Sequence, residues 1–292
     1  MAEEEQGSSG YEITLRPETN WINLELRGVW RYRDLLLMMV WRDFSARYRQ
    51  TILGPLWFIL QPLLITVVFT FIFGKVAGLS TDGLPPLLFY LCGQLGWNYF
   101  AQNFNSNSTT FVSNAGLFSK VYFPRLIVPI SALISNLFAF LIQGATFCAF
   151  FIYFKYSAGA QMFFVDWRVV FLPLVILQTA LLSLGVGLLM SALTAKYRDL
   201  VHVMSLLIQV WMYVTPVILP LSKILEKCPA KWQWVIALNP MTAVVESFRF
   251  MLLGTGTVNA FYLTASVSMT LIILAAGLLL FGKVEKTFVD LV

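Results

Sequence analysis

Residue types able to do covalent or acid–base chemistry are scarce in this sequence. His202 is its one histidine, and a single imidazole leaves few options for acid–base work. At what reads as a helix start, it is expected to be a polar residue and not a catalyst. Cys92, Cys148 and Cys228 show no metal or redox spacing and read as structural. No Gly-x-x-x-x-Gly-Lys-Ser/Thr loop is present, so the chain does not cradle nucleotide phosphates in the Walker manner. Neither a His-Glu-x-x-His metal motif nor a Gly-x-Ser-x-Gly elbow occurs. Glu246 is the one acid inside an apolar region, which disfavours an ion-coupled carrier, because such carriers need carboxylates at membrane depth. Arg249 follows three residues later, a spacing that lets the two pair on one helix face. The alternative is that each points to water.

The composition sets the solvent around these residues. The 292 residues are 58% hydrophobic and 12% charged, with a mean hydropathy of +0.74. A soluble domain carries about 25% charged residues, so lipid must surround most of this chain. The net charge of +5 comes from basic residues that sit beside apolar runs. They read as topology determinants and anionic-lipid contacts, and no nucleic-acid partner is expected.

Charge-free windows then define six expected transmembrane helices: 50–74, a window from about 86 past Phe100, 126–154, 169–195, 200–222 and 261–281. The second ends on Asn103, Asn105, Asn107 and Ser108, so it should face protein or water and not lipid. Residues 1–20 form a polar tail without the pattern of a cleavable signal. Over residues 21–50, Trp30, Leu37, Trp41, Phe44 and Tyr48 fall on one helical face. That predicts an N-terminal amphipathic helix, lying either in the lipid interface or on a protein partner. Residues 51–292 form one transmembrane domain. Within it, about 220–257 is too interrupted for a span and too apolar for a free loop, and reads as a re-entrant pair of short helices between spans five and six. Thirteen Lys and Arg fall on one side of this arrangement and seven on the other. The positive-inside rule places both termini in the cytoplasm and the re-entrant segment outside.

Five segments together resemble one family. Arg47 to Pro62 (RYRQTILGPLWFILQP) is similar to the opening of the first span in type-2 ABC exporter membrane subunits, those that export polysaccharides. Val121 to Pro129 (VYFPRLIVP) resembles their second cytoplasmic connection, and Lys196 to Leu200 (KYRDL) the loop before their fifth span. Thr215 to Pro220 (TPVILP) and Leu238 to Met241 (LNPM) resemble the two ends of their outer re-entrant segment. The resemblance implies an all-α integral membrane protein of the bacterial cytoplasmic membrane. It would act as a homodimer with two nucleotide-binding ATPase subunits, which bind the ATP and Mg, so this chain carries no cofactor and is no enzyme. The cargo implied is a lipid diphosphate-linked glycan of O-antigen, capsule or teichoic-acid type.

By position, the resemblance places the ATPase-coupling surface at Asn114, Phe118, Lys120, Tyr122, Lys196, Arg198 and Asp199. It places the outer gate at Pro216, Pro220, Asn239, Pro240, Glu246 and Arg249. Aromatic and basic residues near the first span, with Tyr213, complete a candidate substrate set: Arg42, Arg47, Arg49, Trp57, Phe58 and Tyr213. Aromatic faces suit the apolar C–H faces of sugars, although membrane aromatics also serve as lipid anchors. The three arginines have two readings: topology signals, or guanidinium forks for a lipid diphosphate at the cytoplasmic mouth. A type-2 ABC permease for a drug or other small hydrophobic molecule is the alternative function. A membrane-embedded lipid-linked transferase is a further one, but it needs a clustered acid, base or metal site that the sequence does not offer.

Overall fold

A computed structural model describes residues 26–48, 52–157 and 167–287, and every regular element among them is helical. The physical reason is the solvent. Where no water can satisfy backbone N–H and C=O groups, a helix pairs them within its own segment.

The N-terminal region forms α1 (Leu26–Arg31) and α2 (Arg33–Tyr48). The first apolar window gives α3 (Trp57–Phe69), which continues as a π-helical stretch over Thr70–Val76. Next come α4 (Pro86–Ser108), the single turns α5 (Thr110–Ser113) and α6 (Ala115–Phe118), α7 (Ile127–Ser157) and α8 (Leu172–Lys196). After α9 (Leu200–Val214) follow the short α10 (Leu221–Lys227) and α11 (Gln233–Leu238), then α12 (Pro240–Leu253) and α13 (Ala260–Thr287). Among the described residues, four stretches are both long and apolar enough to cross a membrane: Trp57–Val76, Ile127–Ser157, Trp167–Lys196 and Ala260–Glu285.

The remaining two expected windows look different for separate reasons. At 23 residues α4 is long enough to span, but its polar residues lower its hydropathy, and most of its residues are buried against the other helices. Asn103, Asn107 and Ser108 are buried while Asn105 faces out, so the polar end turns largely towards protein, as expected. Asn136 Nδ2 of α7 donates to Asn103 Oδ1 at 2.8 Å, and Thr194 Oγ1 of α8 donates to the Ser108 carbonyl at 2.7 Å. The fifth window, 200–222, is helical only to Val214, giving 15 residues. Pro216 disfavours helical backbone at the residue before it, and Thr215 is extended.

The tightest helix crossing joins α8 to α13 at two glycines. A Cβ on Gly185 would stand 2.7 Å from the Leu274 Cα, and one on Gly277 would overlap the Gly185 carbonyl. Small residues at such a crossing let two backbones approach where lipid gives no hydrophobic drive for association.

Segment 220–257 resolves into α10, α11 and α12 with a 3-10 turn at Ala230–Trp232, not a pair of helices. Proline and Asn-Pro junctions divide it into more pieces than its apolar runs suggested. The N-terminal stripe is also placed differently from a simple amphipathic helix. Trp30, Leu37 and Trp41 point outward, with Trp41 70% exposed, while Met39 and Val40 are buried on the side of α2 that packs against α7. The helix is therefore apolar on two sides, one towards the protein and one away from it.

Candidate functional sites: a buried ion pair, two loops and the residues before α3

The Glu246–Arg249 pair forms as the i, i+3 spacing predicts. Arg249 Nη1 donates to Glu246 Oε1 at 2.7 Å, and both side chains are 1% exposed. A buried charge pair is tolerable only when its remaining lone pairs and protons find partners. Here the backbone supplies several of them, although the buried Arg249 Nε–H is left without a hydrogen bond. Glu246 Oε1 also accepts from the Leu221 amide at 3.3 Å, and Oε2 from the Thr257 amide at 3.0 Å. Arg249 Nη2 donates to the Val217 carbonyl at 2.7 Å, and its guanidinium lies 3.9 Å from the centre of the Phe89 ring. The path of that side chain needs Gly93 of α4, since a Cβ there would meet Nη2 at 2.9 Å. One ion pair thus fastens α12 to α4, to the α9–α10 link and to the α12–α13 link.

The Asn239-Pro240 dipeptide explains how α12 begins. Pro240 occupies the first turn, where its missing N–H costs nothing, and Asn239 Oδ1 caps the helix by accepting from the Met241 amide at 3.1 Å. The same oxygen accepts from Trp211 Nε1 at 3.0 Å, and Asn239 Nδ2 donates to Thr215 Oγ1 at 3.0 Å. Pro216 and Pro220 are buried in the non-helical stretch between α9 and α10. Asp82 is hydrogen-bonded by Ser222 Oγ at 3.2 Å, which puts the loop before α4 at this same end of the bundle.

The opposite end carries both loops to which the resemblance assigns coupling. The Arg125 amide donates to Glu285 Oε1 at 3.1 Å, bringing the start of α7 to the end of α13, and the Thr194–Ser108 bond adds the ends of α8 and α4. Burial lowers the Arg125 pKa, and the neighbouring Glu285 works against that shift. Asn114 Nδ2 donates to the Thr110 carbonyl at 3.0 Å and so fixes the turn between α5 and α6.

Phe118 corrects the sequence-based expectation. It turns inward with Phe123 into a cluster that includes Phe111, Met39 and Phe281. An aromatic beside a cytoplasmic turn could have pointed either way, and the stacked Phe111–Phe281 pair at 4.6 Å gives the buried ring its partners. What the loop offers outward is Lys120, Val121 and Tyr122, with Tyr122 87% exposed. Lys196, Tyr197, Arg198 and Asp199 are all exposed at the end of α8.

Among the described residues the candidate substrate side chains are spread over α2, α3 and α9. Arg42 donates twice to Asp43 Oδ1, at 2.9 and 2.8 Å, so its guanidinium is already paired. The Arg47 side chain and all of Arg49 lie outside the described residues. Trp57 and Tyr213 are exposed on α3 and α9, while Phe58 is half-buried and faces a groove between α3, α4 and α7. Sequence reasoning missed the amides across that groove, Gln94, Asn98 and Gln143. Their signal was three carboxamides at the middle of otherwise apolar windows. Among the described residues no three His, Cys, Asp or Glu side chains gather as metal ligands.

The sequence is similar to those of known proteins. Residues 34–253 match the model of the ABC-2 type transporter family. The chain is 28% identical over 258 residues to the O-antigen export system permease protein RfbA of Klebsiella pneumoniae, covering 88% of this chain and 95% of that protein. A relative of the same name from Myxococcus xanthus is 28% identical over 265 residues, covering 91% and 98%. The polysialic acid transport protein KpsM of Escherichia coli is 25% identical over 250 residues, covering 84% and 91%. With a helical membrane architecture, and a family match from α2 to the end of α12, the chain belongs to the ABC-2 type transporter family.

Proposed function

We propose that this chain is the membrane permease of an ATP-driven exporter that moves a lipid-linked polysaccharide across the bacterial cytoplasmic membrane. The observation that carries this is the near-full-length match to relatives named as O-antigen export permeases and a polysialic acid transporter. A permease of an ABC export system works with an ATPase partner. In our reading two such subunits, holding ATP and Mg, join a homodimer of this chain. The substrate is an O-antigen, capsule or teichoic-acid type glycan on a lipid diphosphate.

The topology we infer has six crossings: α3 with its π-helical extension, α4, α7, α8, α9 and α13. Fifteen residues of α9 rise about 22 Å, short of the ~30 Å hydrocarbon core, and the buried stretch 215–220 completes the passage. Segment 220–257 is then re-entrant on the outer side, with the Glu246–Arg249 pair holding the outer gate. The end bearing Lys120, Arg125, Lys196 and Arg198 faces the cytoplasm, following the positive-inside rule.

Two measurements test this. Cells depleted of the chain should lose surface glycan and accumulate it inside, with recovery on re-expression. Unchanged surface glycan after depletion would sink the exporter assignment. For topology, a variant keeping Cys228 with Cys92 and Cys148 replaced should react with an impermeant maleimide on intact cells. Reaction only after the membrane is opened would reverse the orientation.

A further inference from the structure

The groove beside Phe58 joins apolar and polar walls within the helix bundle. Its walls are α3, with Phe58 and Leu63, and the facing sides of α4 and α7, with Gln94, Asn98, Gln143 and Thr146. Gln94 and Asn98 stand near the middle of α4, and Gln143 and Thr146 near the middle of α7, so the groove lies about half-way across the bundle. Polar side chains at that depth are costly and mark pathways when they have no structural partner.

Gln94 is such a case. It is 2% exposed, it lines the groove, and its Nε2 has no hydrogen-bond partner. Across from it, Asn98 Nδ2 reaches Gln143 Oε1 at 3.4 Å, at the long limit for a hydrogen bond and readily exchanged for a better one. None of the lining residues is charged. A diphosphate or a cation would find no counter-charge here. A neutral hydroxyl, which both donates and accepts, suits carboxamides on one side and apolar carbon on the other.

Size narrows the occupant further. The enclosed room is about 10 Å³, space for one water-sized group, and the rest of the groove is open. It takes in a single hydroxyl at the edge of a sugar, and neither a whole ring nor a chain. The α3 wall is also the irregular one. Pro62 removes one of its internal hydrogen bonds, and a π-helical stretch, a feature frequent at functional sites, follows it.

We propose that the Gln94–Asn98–Gln143 groove is a mid-membrane subsite that hydrogen-bonds a sugar hydroxyl of the transported glycan, with Phe58 against the ring's C–H face. This rests on the exporter reading above and assigns the sugar, not the diphosphate, to this place.

The test uses the full complex in cells whose export depends on a plasmid copy of the chain. Phe58 is replaced by p-benzoylphenylalanine, the cells are irradiated, and the purified chain is stained for periodate-sensitive glycan. Glycan attached from position 58, and absent when the same photoprobe replaces Leu271 on the outward face of α13, is the expected result. Gln94→Leu in the position-58 background should lower that yield, and surface glycan, about tenfold, consistent with loss of a hydrogen bond worth one factor of ten in affinity. Chain abundance and ATPase co-purification are measured in the same preparation. If Gln94→Leu does not assemble, the position-58 crosslink decides alone. Lipid without sugar on position 58, or no crosslink while the unaltered chain exports normally, overturns the subsite and leaves the exporter reading standing. No export by the unaltered chain would take down both.

Discussion

Glu246→Ala is expected to destabilise the permease severely and to abolish export. Removal of the carboxylate leaves the Arg249 guanidinium buried with its countercharge gone, a change that costs about 3–5 kcal/mol when a buried pair is broken from one side. It also strands the Leu221 and Thr257 amides that Glu246 accepts from. Lys223→Ala is the comparison. Lys223 pairs with Glu226 at 2.7 Å, but both are solvent-exposed, so its loss should leave melting and export close to those of the unaltered chain. Thermal unfolding of the purified chain, followed by tryptophan fluorescence, and surface glycan in complemented cells are the two readouts. The double change Glu246→Ala with Arg249→Leu should recover part of the loss, because no unpaired charge remains. Equal melting and export for Glu246→Ala and Lys223→Ala would mean that the pair contributes nothing that water could not.

The fold was legible where one physical constraint acts along the chain. Absence of charge over twenty or more residues marks the four long apolar stretches, and the boundaries at Ile127, Lys196 and Ala260 fall within a few residues of the charge-free windows. The asparagines of α4 announced burial because lipid rejects them. The i, i+3 spacing announced the ion pair because a helix places those residues together.

Sequence signals failed where the deciding contact is distant in the chain. Nothing near Phe118 reveals that Phe123, Phe111 and Phe281 enclose it. Nothing near Glu246 shows that Thr257 and Leu221 supply its other hydrogen bonds. The groove is the same kind of case, since Phe58, Gln94 and Gln143 belong to three helices and no periodicity links them. The N-terminal stripe divides in the structure: Trp30, Leu37 and Trp41 are exposed, Phe44 packs on Phe138 of α7, and the buried Met39 and Val40 lie off the stripe altogether.

Tyr122→Ala is expected to separate docking from folding. The loop after α6 is held by Phe118 and Phe123, whose rings lie 5.8 Å apart in the buried cluster, and by the Arg125–Glu285 hydrogen bond. Those contacts present Lys120, Val121 and Tyr122 outward from a fixed base, the form of a preorganised anchor. An exposed tyrosine of this kind, seated in a partner's pocket, typically costs 2 kcal/mol or more on truncation, about a thirtyfold loss of affinity. On that basis Tyr122→Ala should insert and melt like the unaltered chain, while co-purifying with far less ATPase subunit and exporting little glycan. Phe123→Ala should behave in the opposite way. It removes a buried ring, which costs about 3–5 kcal/mol, so the chain's own melting temperature should fall whether or not the partner is present. Full ATPase recovery and full export by Tyr122→Ala would leave this loop as an interfacial turn, and coupling would have to pass through the exposed stretch at Lys196, Arg198 and Asp199 instead.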